Sequence, residues 1–153
     1  MILIADSGST KTEWCLADQG RPVRTVVTAG INPFFQTREE IAGEIRDALL
    51  PALKGERIDA IYFYGAGCAF PEKNRIVEEA ITPYIPAPIE VYSDLMAAAR
   101  ALCGSRPGIA CILGTGSNSC LYDGTEITEH ISPLGLLEAS VAGAFGSEVY
   151  GSI

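Results

Sequence analysis

The order of its regular segments constrains this chain most. Three β-rich runs, MILIAD, EWCLAD and VRTVVTAG, follow one another with only turn residues between them, and from residue 37 onward helical and strand patterns alternate. In TREEIAGEIRDALLPALKG, Thr37 is placed as an N-cap, Glu40 as its capping-box partner, and Ile41, Ile45, Ala48 and Leu49 as an apolar stripe. DAIYFYGAG reads as a strand and PEKNRIVEEAITPYI as a helix that turns Ile76, Val77, Ala80 and Ile81 inward. APIEVYSD is a further strand, and LMAAARALCG a third helix closed by Gly104. Residues 1–104 thus read βββαβαβα. Strands joined through helices pair in parallel, so an α/β domain is expected, with a largely parallel sheet covered on both faces.

After SRPG the pattern starts again. IACILGTGSNSCLYDGTEITEHIS holds a strand, a Gly/Thr/Ser loop, a strand, an Asp-Gly turn and a third strand. It answers the opening LIADSGSTKTEWCLADQG, and in both hairpins the second strand carries a Cys-Leu pair. Residues 105–153 are therefore expected to be the incomplete start of a second, similar domain.

Composition excludes several functions. The net charge of -8 argues against a nucleic-acid partner, which needs a basic face. No apolar run reaches the ~18 residues a membrane helix requires, and no basic segment precedes the short apolar run at the start, so neither a span nor a leader is expected. Of the five cysteines, Cys15, Cys68, Cys103, Cys111 and Cys120, no two have C-x2-C spacing. They are expected to be reduced, in a cytoplasmic protein, with Cys15, Cys111 and Cys120 buried in strands. The single histidine, His130, reads as a surface residue at a strand end.

Asp6-Ser7-Gly8-Ser9-Thr10-Lys11-Thr12 interrupts two apolar strands. A Gly/Ser/Thr turn can point backbone N–H groups into one concavity, where an anion binds. The hydroxyls of Ser9, Thr10 and Thr12 could add donors, and Lys11 a compensating charge. Asp6 would repel a phosphate unless a Mg²⁺ lay between them. Gly114-Thr115-Gly116-Ser117 is a second loop of the same kind. Neither is a Walker A or a G-x-G-x-x-G motif. A polar hairpin turn is the alternative explanation of either loop alone.

ADSGSTKTEW resembles the first phosphate loop, and ILGTGSNSCLYDG the second, of the sugar-kinase, Hsp70 and actin superfamily. Within it the chain is most similar to the N-acetylglucosamine kinases and their BadF/BadG-type ATPase relatives, over residues 1 to about 135, where YFYGAGC, SDLMAAARAL and ISPLG also fall at related segments. The resemblance implies a ribonuclease H-like (actin-like ATPase) fold and an ATP-dependent kinase of N-acetylglucosamine or a related amino sugar. It implies that Asp6 positions Mg²⁺ and that Gly8, Ser9, Thr10 and Lys11 face the ATP phosphates, with Gly114, Thr115, Gly116 and Ser117 closing over them. Asp94 would be the general base; it could equally cap the helix that follows. Asn32, Gly65, Ala66, Gly67 and Asn118 would lie at the sugar, although turn formation also explains Asn32 and the glycines. Phe34 and Phe35 are expected in the core or lining the cleft.

The tail departs from the family. After ISPLG the family continues into a Gly-Asp-Glu-Gly-Ser-Gly loop, whereas this chain reads LLEASVAGAFGSEVYGSI, with Gly146-Ser147-Glu148 a degraded echo. An amino-terminal fragment or truncated product is therefore expected, inactive alone and forming a homodimer or other self-association because its second sheet lacks a helical layer. A BadF-type ATPase activator of a 2-hydroxyacyl-CoA dehydratase or related reductase, and a non-catalytic remnant, are the competing readings.

Overall fold

Strand β1 (Ile2–Ser7) buries Leu3, Ala5 and Ser7 and turns Ile2, Ile4 and Asp6 outward, the period-two pattern of a strand with one face in the core. The computed structural model describes residues 1–113 and 117–131. In it β1 is followed by β2 (Lys11–Asp18) and β3 (Arg21–Ala29), and later by β4 (Ala60–Gly65) and β5 (Ile89–Ser93). These five form one sheet in the order β3-β2-β1-β4-β5. The β1–β2 and β2–β3 pairs are antiparallel, and the β1–β4 and β4–β5 pairs parallel. The sheet is thus half antiparallel meander and half parallel crossover rather than largely parallel, because the first three strands are joined by turns and only β4 and β5 by helices.

Helix α1 (Arg38–Glu44) starts at the expected capping box: the Thr37 hydroxyl accepts from the Glu40 N–H, and the Glu40 carboxylate accepts from the Thr37 N–H at 2.7 Å. It runs into a π-helical turn (Ile45–Leu49) and a last α-turn, α2 (Leu50–Leu53). Pro51 explains the widened turn. It has no N–H for the carbonyl four residues back and its ring crowds that carbonyl, so the ladder opens just before it. Ile41, Ile45, Leu49 and Leu53, spaced by four, all stay buried. Lys54 then ends the helix in left-handed geometry.

Helix α3 (Pro71–Ile81) buries Val77, Ala80 and Ile81. Both helical segments share one core with Leu3, Ala5, Trp14, Leu16, Ile61, Phe63 and Val91, in which the Trp14 and Phe63 rings lie 5.8 Å apart. Within residues 1–94, α1–α2 and α3 cover one face, while Ile2, Ile4 and Val27 on the other are 38%, 37% and 60% exposed.

The chain forms two compact units, Met1–Asp94 and Leu95–Ile153. In the second, α4 (Asp94–Cys103) is closed by Gly104 at φ +62° and packs Leu95, Ala99 and Cys103 with Ala110, Cys120 and Tyr122. Strands β6 (Gly108–Leu113), β7 (Ser117–Tyr122) and β8 (Ile127–Ile131) make an antiparallel meander. The two hairpins echo each other, and each shows a register slip just after its Cys-Leu pair, at Leu16/Ala17 and Leu121/Tyr122. The pairs face opposite ways, however: Leu16 is buried in the first hairpin and Cys120 in the second.

All five cysteines are free. Cys111 is exposed rather than buried, because the pleat turns Ala110 to the core and Cys111 away from it. His130 is exposed near the end of β8, as expected. No helix among the described residues is long and apolar enough to cross a membrane.

Candidate functional site

Ser7 pairs with Thr12 at the base of the first hairpin. The turn above them is closed by the Gly8 N–H donating to the Lys11 carbonyl at 3.0 Å. Gly8, Ser9, Thr10 and Lys11 are all exposed, and with Asp6 and Glu13 they line a depression of about 280 Å³. Residues 8–11 are therefore open to solvent, as an anion-binding turn must be, although the Gly8 N–H is spent on the Lys11 carbonyl.

Thr12 does not belong to that outward set. It is fully buried, and its hydroxyl lies 2.7 Å from Ser7 Oγ and 3.1 Å from the Ala29 carbonyl. Strand alternation is the reason: Lys11 and Glu13 point out, so Thr12 points in. The expectation that its hydroxyl meets phosphate is thereby corrected.

Asp6, Gly65–Gly67 and Asp94 stand at the carboxyl ends of β1, β4 and β5, three neighbouring parallel strands. This is where open α/β sheets bind ligands. Asp6 sits directly opposite Glu13 in the hairpin. Partial burial of its carboxyl, and then the charges of Glu13 and Asp94, raise the Asp6 pKa against the opposing pull of Lys11. Lys11 Nζ lies 2.5 Å from Glu13 Oε1, a contact that raises the lysine pKa. Burial, with a smaller push from Asp94, drives the Cys68 thiol up to about 12. Like charges held close together mark a site that gains from a cation. Among the described residues no group of three or more His, Cys, Asp or Glu is placed to hold a metal. The donor set suits Mg²⁺, which takes one or two carboxylates and completes its shell with water and phosphate.

Beside the turn, Asn32 is 9% exposed and shapes residues 32–36. Its Oδ1 accepts from the Phe34 N–H at 3.0 Å, and its carbonyl from Phe35 and Gln36. The Ala66 N–H donates to the Ser7 carbonyl at 2.9 Å, joining the β4 exit to the hairpin. Gly67 has φ +81°, and a Cβ there would fall 2.4 Å from Asn32 Oδ1, so glycine is required on two counts. Phe34 and Phe35 are 50% and 83% exposed, which rules out core packing for them. Phe34 meets Phe70 edge-on, and Lys73 Nζ stands 4.7 Å from the Phe34 ring.

Of the second loop, Gly114, Thr115 and Gly116 lie outside the described residues, as does the tail from 132 onward. Ser117 and Asn118 open β7. Ser117 Oγ and Asn118 Oδ1 are buried without a hydrogen-bond partner among the described residues, unusual for native polar atoms.

The chain is 55% identical to a candidate N-acetylglucosamine kinase from Porphyromonas gingivalis, whose crystal structure it matches with TM-score 0.83 over 88% of this chain and 49% of that one. The fold is that of the actin-like sugar kinases. Two remoter structures share that fold. One is a candidate N-acetylglucosamine kinase from Chromobacterium violaceum (17% identity, TM-score 0.61, 88% of this chain and 49% of that). The other is a ROK family protein from Streptococcus pneumoniae solved with sucrose (14%, 0.58, 82% and 47%). The chain spans about half the length of these solved relatives. No protein-family model and no curated protein matches it.

Two residues that shape this site escape the sequence reading. A Cβ on Gly30 would lie 2.5–2.6 Å from the Gly8 carbonyl oxygen and the Ser9 backbone, and the Gly30 N–H donates to the Thr10 carbonyl at 3.0 Å. Gln36 accepts from the Asn32 N–H at 2.7 Å and donates to the Gly30 carbonyl at 3.2 Å. TAGINP carries a visible glycine, but a tertiary approach between residues 8 and 30 leaves no periodic signal.

Proposed function

We propose that this chain carries the phosphate-binding part of an ATP-dependent kinase acting on N-acetylglucosamine or a related amino sugar. The observation that carries the reading is the outward-facing Gly8–Lys11 turn beside Asp6, in a chain 55% identical to a candidate N-acetylglucosamine kinase. In this reading Gly8, Ser9, Thr10 and Lys11 hold the ATP phosphates, and Asp6 holds Mg²⁺ directly or through its water. When bound, the ion offsets charge that builds up during phosphoryl transfer. Lys11 then exchanges its contact with Glu13 for one with phosphate.

Asp94 accepts the proton of the attacking sugar hydroxyl. Asn32 binds the sugar, with Gly65, Ala66 and Gly67 admitting it close to the backbone. Gly114, Thr115, Gly116 and Ser117 supply further phosphate contacts, and Asn118 a substrate contact; that Ser117 Oγ and Asn118 Oδ1 have no partner among the described residues supports a ligand there. Five free thiols fit a reducing, cytoplasmic setting. Leu113 and Ile131, 51% and 50% exposed on the small sheet, are where a second copy would pack.

The test is ADP release by the full-length protein with Mg²⁺ and N-acetylglucosamine, compared with other amino sugars and with no sugar. Sugar-dependent release, lost on adding EDTA, is expected. ADP release equal with and without every sugar would exclude a sugar kinase.

A further inference from the structure

Two buried hydroxyls lie beneath the site and face neither the phosphate depression nor solvent. Ser7 and Thr12 are fully buried, with their oxygens 2.7 Å apart. Ser7 Oγ accepts from the Ile31 N–H at 3.0 Å and lies 2.9 Å from the Ile31 carbonyl, while Thr12 Oγ1 lies 3.1 Å from the Ala29 carbonyl. Two hydroxyl protons thus serve three contacts. Either Thr12 donates to Ser7 and Ser7 to Ile31, or Ser7 donates to Thr12 and Thr12 to Ala29. The bond from the Ile31 N–H survives in both arrangements.

The consequence is mechanical. The two strands that carry the phosphate turn are pinned to residues 29–31, and Asn32 follows immediately. Above, the Gly30 N–H holds the Thr10 carbonyl in a space with no room for a side chain. At the far end Gln36 grips both Gly30 and Asn32. Glu44 accepts from the Ala29 N–H at 2.8 Å and ties the same segment to α1. The turn over residues 8–11 and the turn at Asn32 are therefore parts of one frame.

We infer that the Ser7–Thr12 hydroxyl pair is a positioning device that sets the phosphate turn and the Asn32 turn at the separation phosphoryl transfer requires. The inference rests on the kinase reading above. Neither hydroxyl touches a reacting atom; both act through the backbone that does. Phosphoryl transfer depends on placing the acceptor oxygen in line with the γ-phosphate, and a misplacement of about 1 Å costs on the order of 10²-fold in rate. If the pair served only to satisfy buried backbone groups, its loss would lower stability and leave the turnover of each folded molecule alone.

Steady-state kinetics of the full-length protein separate these cases, measured at a temperature where every variant is folded. Thr12→Val, which keeps shape and removes the hydroxyl, is expected to lower kcat about 10- to 100-fold, while KM for MgATP and for N-acetylglucosamine each move less than about threefold. Thr12→Ser restores the hydroxyl and is expected to return kcat to within about threefold of wild type. If Thr12→Val does not fold, Ser7→Ala is read for the same split between kcat and KM. A variant with wild-type kcat and only a lowered Tm would overturn the inference and leave the kinase reading intact. A folded wild type that phosphorylates no amino sugar would overturn both.

Discussion

Gly30→Ala is the sharpest probe of how this site is built. Gly30 is not in a positive-φ conformation, so its backbone admits alanine without strain. The unfolded chain would even lose conformational freedom, favouring the folded state by about 0.4–1 kcal/mol. Space decides otherwise. The new methyl would stand 2.5–2.6 Å from the Gly8 carbonyl oxygen and the Ser9 backbone, where ordinary contact begins near 3.4 Å. The Gly8–Lys11 turn must therefore retreat by about 1 Å, and its bond from the Gly30 N–H to the Thr10 carbonyl must stretch. Overpacking of this kind costs about 1–3 kcal/mol, so a net destabilisation of about 1–2 kcal/mol is expected, with a large loss of Mg²⁺-dependent nucleotide affinity. Gly43→Ala in α1 is the control. Nothing lies within 4 Å of its added methyl, and replacing a mid-helix glycine is expected to stabilise by about 0.5–1 kcal/mol. Urea unfolding measures the stabilities, and titration with MgADP the affinities. Wild-type stability and affinity in Gly30→Ala would refute the close approach.

Asp6→Asn is expected to abolish Mg²⁺-dependent nucleotide binding while raising the urea midpoint of the ligand-free protein at pH 7. The sign follows from the raised Asp6 pKa: the folded state holds the proton more tightly than the unfolded state, so ionised Asp6 opposes folding. The mutant's advantage should fade as pH falls below that raised pKa; an advantage that grows on acidification would contradict the partial burial of the carboxyl and the neighbouring Glu13 and Asp94 charges. Asp94→Ala in the full-length protein should cut phosphoryl transfer at least ~10²-fold with ATP affinity barely changed. Rate and affinity falling together would show that Asp94 acts through the fold instead. Thiol labelling of the native protein should reach exposed Cys111 first and buried Cys68, Cys103 and Cys120 only on unfolding. Labelling of Cys68 in the folded state would contradict its burial and its pKa near 12.

The fold class was legible because its signals are local. Thr37 and Glu40 make their capping box within one turn, Gly104 ends α4 through its own φ, and the alternation in ILIADS places Asp6 outward whatever surrounds it. The polar turn at Gly8–Lys11 and the carboxylate before it were legible for the same reason. What surrounds them was not. Thr12 looks like one more phosphate donor in a run of hydroxyls, and only the packing of residues 29–31 against the hairpin shows its oxygen spent on Ser7 and Ala29. Phe34 and Phe35 carry core-like chemistry in a turn that leaves them exposed. The outward Cys111 also escaped, since which face of a strand meets the core depends on the element packed against it. Local backbone preference and hydrogen bonding within a few residues are written into the sequence itself. Contacts between residues 7 and 31, or 8 and 30, arise only when the sheet brings distant strand ends together, and those contacts frame the site.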